Sequence, residues 1–126
     1  MAKAKTIEDV YNKLLKNTDL HSVPELDGEI LIWKLYKDAY IRAYCDDYNF
    51  SIEINRDSPL GELTHWHPEE DEICNQLYTL GKKGNILVLK KVHSDYVIEY
   101  LGEADKYCFN KQKKLTRSKL IYLEQK

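Results

Sequence analysis

The sequence predicts an α+β domain: an antiparallel sheet of five or more strands with two helices on one face. Three observations lead there. Apolar side chains recur at helical spacing over residues 7–15, several runs between residues 29 and 101 have strand character, and the connections between those runs are short. The expected order is α-β-β-β-α-β-β plus a short C-terminal hairpin. Residues 1–126 are expected to form a single α+β domain, because this length suits one hydrophobic core.

The first helix is the clearest element. Thr6 is placed to cap it, with Asp9 three residues on, and Ile7, Val10, Tyr11, Leu14 and Leu15 form one apolar stripe. The helix should fade near Asn17, and a loop with Pro24 and Asp27-Gly28 follows. Residues 29–36 are nearly continuously apolar, as in a strand covered on both faces. Residues 39–45 alternate Tyr40, Arg42 and Tyr44 against Ile41, Ala43 and Cys45. After a turn at Asp46-Asp47, residues 48–54 alternate Tyr48, Phe50, Ile52 and Ile54 against Asn49, Ser51 and Glu53. Short connections make these runs an antiparallel meander.

Residues 55–61 read as a loop. The second helix is expected to open at Pro68, since proline suits the first helical position and acids suit the first turn. Ile73, Leu77 and Leu80 give it an apolar stripe, and Gly81 or Gly84 ends it. Strands over 85–92 and 95–101 follow, joined at His93-Ser94. The last segments, 107–109 and 120–123, read as a hairpin around a lysine-rich loop, with a helix from Lys111 as the alternative.

Composition excludes several classes. Three cysteines (Cys45, Cys74 and Cys108) make an odd, widely spaced set without C-x-x-C, which points to reduced thiols in a cytoplasmic protein. Cys45 and Cys74 fall on apolar stripes and read as buried thiols. No signal-like apolar stretch stands near Met1, and no apolar run approaches the ~20 residues of a membrane span. The net charge of −2 hides an asymmetry. Residues 105–126 carry seven Lys or Arg and two acids, a net of +5, so the remainder carries −7.

Residues 65–72, His-Trp-His-Pro-Glu-Glu-Asp-Glu, are the densest chemical signature. On an extended chain residues i and i+2 share a side, so His65 and His67 could present two imidazoles to one ion. His65-Trp66-His67, four spacers and then Glu72 resemble the first motif of the cupin family, over about a dozen residues. That resemblance implies a β-barrel on which His65, His67 and Glu72 hold one divalent transition metal. The chain departs from the pattern at Pro59, where the family has glycine, and carries no second cupin motif. The competing structural reading has Trp66 packing into the core, His67 capping the second helix and the acids complementing its positive end.

No nucleophile elbow, P-loop or dinucleotide fingerprint occurs, so no catalytic residue is assigned. Lys111, Lys113, Lys114, Arg117 and Lys119 lie near Tyr107, Phe109 and Tyr122, a combination used by single-strand nucleic-acid binders. A chain pI near 6.1 argues against that role. The favoured expectation is a non-enzymatic, cytoplasmic protein-interaction module of the immunity, inhibitor or chaperone kind, without cofactor. Its partner is another protein, and a homodimer through an exposed edge strand is possible. Tyr40, Tyr44, Tyr48, Tyr96, Tyr100 and Trp66 are the contact candidates, with Tyr36 a further one if these tyrosines share an uncovered sheet face.

Overall fold

The computed structural model describes residues 6–47, 49–57, 61–107 and 120–126. Its elements are α1 (Ile7–Leu14), β1 (Glu25–Asp27), β2 (Ile30–Trp33), β3 (Ala39–Asp46), β4 (Asn49–Arg56), β5 (Glu62–Trp66), α2 (Ile73–Gly81), β6 (Asn85–Val92), β7 (Asp95–Glu103) and β8 (Leu120–Leu123). The fold is α+β, with two open antiparallel sheets: β1-β2-β3-β4-β5, and β7-β6-β8.

Helix α1 starts as its sequence dictates. The Thr6 hydroxyl accepts from the Asp9 amide at 3.1 Å, and Ile7, Val10 and Leu14 are buried. The expected stripe runs one residue too far, because Leu15 lies beyond the last turn and is 39% exposed. In β3 and β4 the two-residue period does the sorting. Ala43 pairs with Ile52 and Ile41 with Ile54, and all four are fully buried. Arg42 pairs with Glu53 and Tyr44 with Ser51 on the opposite face.

The sequence expectation of three strands before α2 becomes five. Gly28-Glu29 is a hairpin turn rather than part of a loop: Asp27 pairs with Ile30, and Gly28 takes φ 63°. The run over 29–36 yields only the short β2, covered on one face. Leu31 and Trp33 are buried, while Ile30 and Ile32 are half-buried on the other side. The β3–β4 turn lies one residue later than expected, since Asp46 still pairs with Asn49 and Asp47 takes φ 53°. Strand β5 hides its period behind a bulge between Ile54 and Asn55, where Leu63 is the extra residue.

Helix α2 opens at Ile73, not at Pro68. Pro68 is buried, and residues 69–72 form an exposed turn in which the Glu69 carbonyl accepts from the amides of Glu72 and Ile73. Four adjacent carboxylates keep their hydration there instead of stacking on one helical turn. At its far end α2 meets the sheet through glycine. A Cβ on Gly81 would stand 1.9 Å from the Trp33 indole, so glycine at this last helical residue allows the close approach, and the helix stops at Lys82, which leaves helical geometry with ψ 131°. Gly84, with φ 92°, makes the turn that follows.

The second sheet closes the core. Leu87 and Leu89 of β6 and Leu123 of β8 join the main cluster, whereas Ile86, Val88 and Tyr107 form a smaller cluster on the other side of this sheet. Strands β6 and β7 meet at the expected His93-Ser94 turn. Strand β8 pairs with β6, and the expected hairpin of 107–109 with 120–123 and its alternative, a helix from Lys111, fall largely on residues 108–119, which lie outside the described residues. Past β8 the chain ties the sheets together. Lys126 N donates to Leu35 O at 3.0 Å, and Lys37 N donates to Glu124 O at 3.2 Å. Between them the Gln125 amide donates to Leu80 O at 3.2 Å and Lys82 O at 2.8 Å, carbonyls that helix geometry leaves without intrahelical partners. No described helix is long and apolar enough to cross a membrane.

Two stability predictions follow from the packing. Gly81→Ala gains helix propensity worth at most about 1 kcal/mol, yet drives a methyl into Trp33, so a net loss of about 1–3 kcal/mol is expected in urea denaturation. An unchanged midpoint would contradict the Trp33–Gly81 contact. Tyr36 is 1% exposed, its hydroxyl has no hydrogen-bond partner among the described residues, and burial pushes its phenol above the ordinary value. Burial penalises the ionised phenol in the folded state, so stability is fully kept below the unfolded value near 10 and is lost as pH climbs from there toward the folded value. Tyr36→Phe is therefore expected to match or exceed the wild-type melting temperature at neutral pH and to flatten the alkaline decline. A large loss at neutral pH would show that the hydroxyl is satisfied.

Candidate docking face

The outer face of the five-stranded sheet is built by the same alternation that fills the core. It carries Glu25 and Asp27 from β1, Ile30 and Ile32 from β2, and Tyr40, Arg42, Tyr44 and Asp46 from β3. Strand β4 adds Asn49, Ser51, Glu53 and Asn55, and β5 adds Glu62 and His65. The helices pack on the opposite face, where α1 meets β2 and β3. Ile30, Ile32, Tyr40, Arg42, Tyr44 and Glu53 remain partly exposed.

Glu53 organises the centre. Its Oε1 accepts from Arg42 Nη1 at 3.1 Å and from Asn55 Nδ2 at 3.3 Å, and its Oε2 accepts from the Tyr44 hydroxyl at 2.5 Å. The Glu53 side chain is only 15% exposed, and the Arg42 guanidinium carbon stands 5.5 Å from the Tyr44 ring centroid. Exposed ion pairs contribute about 0.2–1 kcal/mol, and this pair is only partly exposed. Its larger effect is to hold Tyr44 and Arg42 in one arrangement. The hydrogen bond to Glu53 raises the Tyr44 phenol, because ionising it would set two negative charges together; partial burial acts the same way.

The two histidines stand beside this network. His65 pairs with Glu53 in the sheet register, and its Nδ1 lies 2.6 Å from Glu62 Oε1. His67 Nδ1 lies 3.0 Å from Ser51 Oγ and 3.3 Å from the Phe50 carbonyl. A bond to the Phe50 carbonyl requires the proton on Nδ1, whereas the Ser51 hydroxyl can pair with either tautomer. His67 thus braces β4 and does not cap α2, whose N-cap is Glu72. The rings of His65 and His67 are 5.9 Å apart, as their spacing predicts. Glu72 is not brought to them as a third ligand: its Oε2 accepts from Gln76 Nε2 at 3.1 Å. Among the described residues no group of three or more His, Cys, Asp or Glu is arranged to hold a metal ion. The strands form two open sheets, not the barrel that a cupin resemblance implies.

The aromatic candidates divide. Tyr40 and Tyr44 share the outer face. Trp66 lies on the core side, where its indole donates to Gln76 Oε1 of α2 at 2.7 Å. Tyr96 packs against the main core and Tyr100 against the smaller cluster, on opposite sides of the second sheet. Tyr36 is buried, and Tyr48 lies outside the described residues. The sequence reading missed Ile30, Ile32 and the Arg42–Glu53 pair as members of this face. The alternation of residues 39–45 and 48–54 carried that signal once the strands were placed side by side.

The basic residues Lys111, Lys113, Lys114, Arg117 and Lys119 also lie outside the described residues, as do Phe109 and Cys108. Cys45 is exposed at the end of β3 rather than buried; Cys74 is half-buried against the core, and that burial raises its thiol.

Glu53→Gln should bring the Tyr44 phenol down toward its ordinary value of 10.0 in an NMR pH titration. An unmoved Tyr44 titration would contradict the hydrogen bond at the centre of the face. Comparison with protein-family models finds no match, and neither curated proteins nor solved structures match the chain.

Proposed function

We propose that this chain is a non-enzymatic protein-interaction module whose partner, another protein, seats on the outer face of the five-stranded sheet. The supporting observation is the half-exposed group of Tyr40, Tyr44, Ile30 and Ile32 around the fixed Arg42–Glu53 pair. Tyrosine offers rigid contact area with a wet hydroxyl, and an ordered polar centre sets orientation without a large entropic cost on binding. The role assigns no catalytic step and no cofactor. Free thiols at Cys45 and Cys74 suit a reducing, cytoplasmic setting.

The test compares immobilised wild-type protein with the Tyr40→Ser/Tyr44→Ser double variant after exposure to lysate from the source cells. Circular dichroism first establishes that the variant is folded. A specific protein should be enriched on the wild type and fall by about tenfold or more on the variant, as expected when anchor residues are removed. Equal enrichment on both would contradict the assignment. Stoichiometric zinc, iron, nickel or manganese in tag-free protein, lost on His65→Ala, would replace this reading with a metal-binding one.

A further inference from the structure

The strands of the large sheet sort their charges as strictly as their apolar residues. Glu25, Asp27, Asp46, Glu53 and Glu62 are all the acids these five strands contain, and the pairing register puts every one on the outer face. The strands contain two cations, Arg42 and Arg56. Arg56 pairs with Ala39 on the opposite parity, so only Arg42 joins the face. Five carboxylates against one guanidinium leave four negative charges, with the imidazoles neutral.

Arg42 is itself committed to Glu53, so its charge is already matched inside the sheet. Glu25, Asp27 and Asp46 form no ion pair among the described residues, and all three are exposed. They flank Ile30, Ile32 and Tyr44, since Asp27 pairs with Ile30, Ile30 with Tyr44 and Glu25 with Ile32. Apolar contact area is thus bordered by negative charge that no described cation matches. An acidic occupant or a nucleic-acid backbone would be repelled there. A cationic one gains steering before contact and charge matching after it.

We infer that the partner presents a lysine- or arginine-bearing surface with aromatic or aliphatic side chains to this face, the acids of β1 and β3 receiving the cations. The inference rests on the docking role proposed above and adds the partner's chemistry to it.

The experiment is an amide-shift NMR titration of the full chain with three peptides of equal length: lysine-tyrosine, serine-tyrosine and glutamate-tyrosine. The lysine-tyrosine peptide should shift amides of β1 to β4 at least about tenfold more tightly than the serine-tyrosine peptide, and the difference should shrink in high salt. Glu25→Lys/Asp27→Lys, at exposed positions on an edge strand, should remove most of that preference while leaving the spectrum folded. Residues 69–72 are an internal control, because they concentrate four acids without the apolar neighbours.

Shifts confined to 69–72 would overturn the inference. Equal affinity for the serine-tyrosine and lysine-tyrosine peptides at the face would overturn the charge assignment while leaving the docking role standing. No response of the face to any peptide would count against both. Shifts of the same amides on concentrating the protein alone would assign the face to a second copy, and shifts with a single-stranded oligonucleotide would assign it to nucleic acid; either result overturns the proposal.

Discussion

The register of β3 on β4 is the constraint on which the rest of the molecule depends. Ile41 lies opposite Ile54 and Ala43 opposite Ile52, all without solvent exposure. Burial of each isoleucine stabilises the fold by about 1.5–3 kcal/mol. A slip of one residue would turn these side chains outward and send the charges of Arg42 and Glu53 into the core, which costs several kcal/mol per ion. Because that alternative is closed, Arg42 and Glu53 must meet on the outside. Their pairing then positions Tyr44, and the acids of neighbouring strands follow the same parity.

The opposite side of the sheet is filled by elements that arrive through specific contacts. Trp33 projects from β2 into the space left by Gly81 at the end of α2, and its indole donates to Ser22 Oγ at 2.8 Å. Gln125 satisfies two carbonyls at the same helix end, and the backbone around it joins Leu35 and Lys37. Thr64 Oγ1 donates to Tyr96 O at 3.0 Å, holding β7 beside β5. These contacts place α2 and the second sheet on the core side. No described helix packs on the outer face; His67 lies against the buried Ser51 there, while Tyr40, Arg42, Tyr44 and Glu53 stay partly exposed.

Much of this was legible in the sequence, for physical reasons that also mark where legibility stops. The α1 stripe, the alternation of β3 and β4, and the two long strands β6 and β7 are local patterns; the strands lie within a residue or two of their expected places, and α1 ends three residues before Asn17. Strand β1 has only three residues, too few to show a period, and the β5 bulge breaks the period just where it was needed. Pro68 and four acids carry the local signals of a helix start, but burial of that proline and repulsion among the carboxylates delay α2 to Ile73. Pairing of β8 with β6 spans thirty or more residues, as the Lys90–Leu120 pair shows, and no local pattern encodes it. For the candidate face, Tyr40 and Tyr44 were readable from parity. The division of Trp66 and Tyr96 to the main core and Tyr100 to the smaller cluster depends on how the two sheets meet.

Side-chain accessibility measured by paramagnetic relaxation with a soluble gadolinium agent tests the central claim most directly. Ring protons of Tyr40 and Tyr44 and side-chain protons of Glu25 and Asp27 should relax strongly, whereas methyls of Leu31, Ile41, Ile52 and Ile54 should be shielded. Shielding of both tyrosine rings in dilute, monomeric protein would mean that the chain covers this face itself, and the docking account would fall.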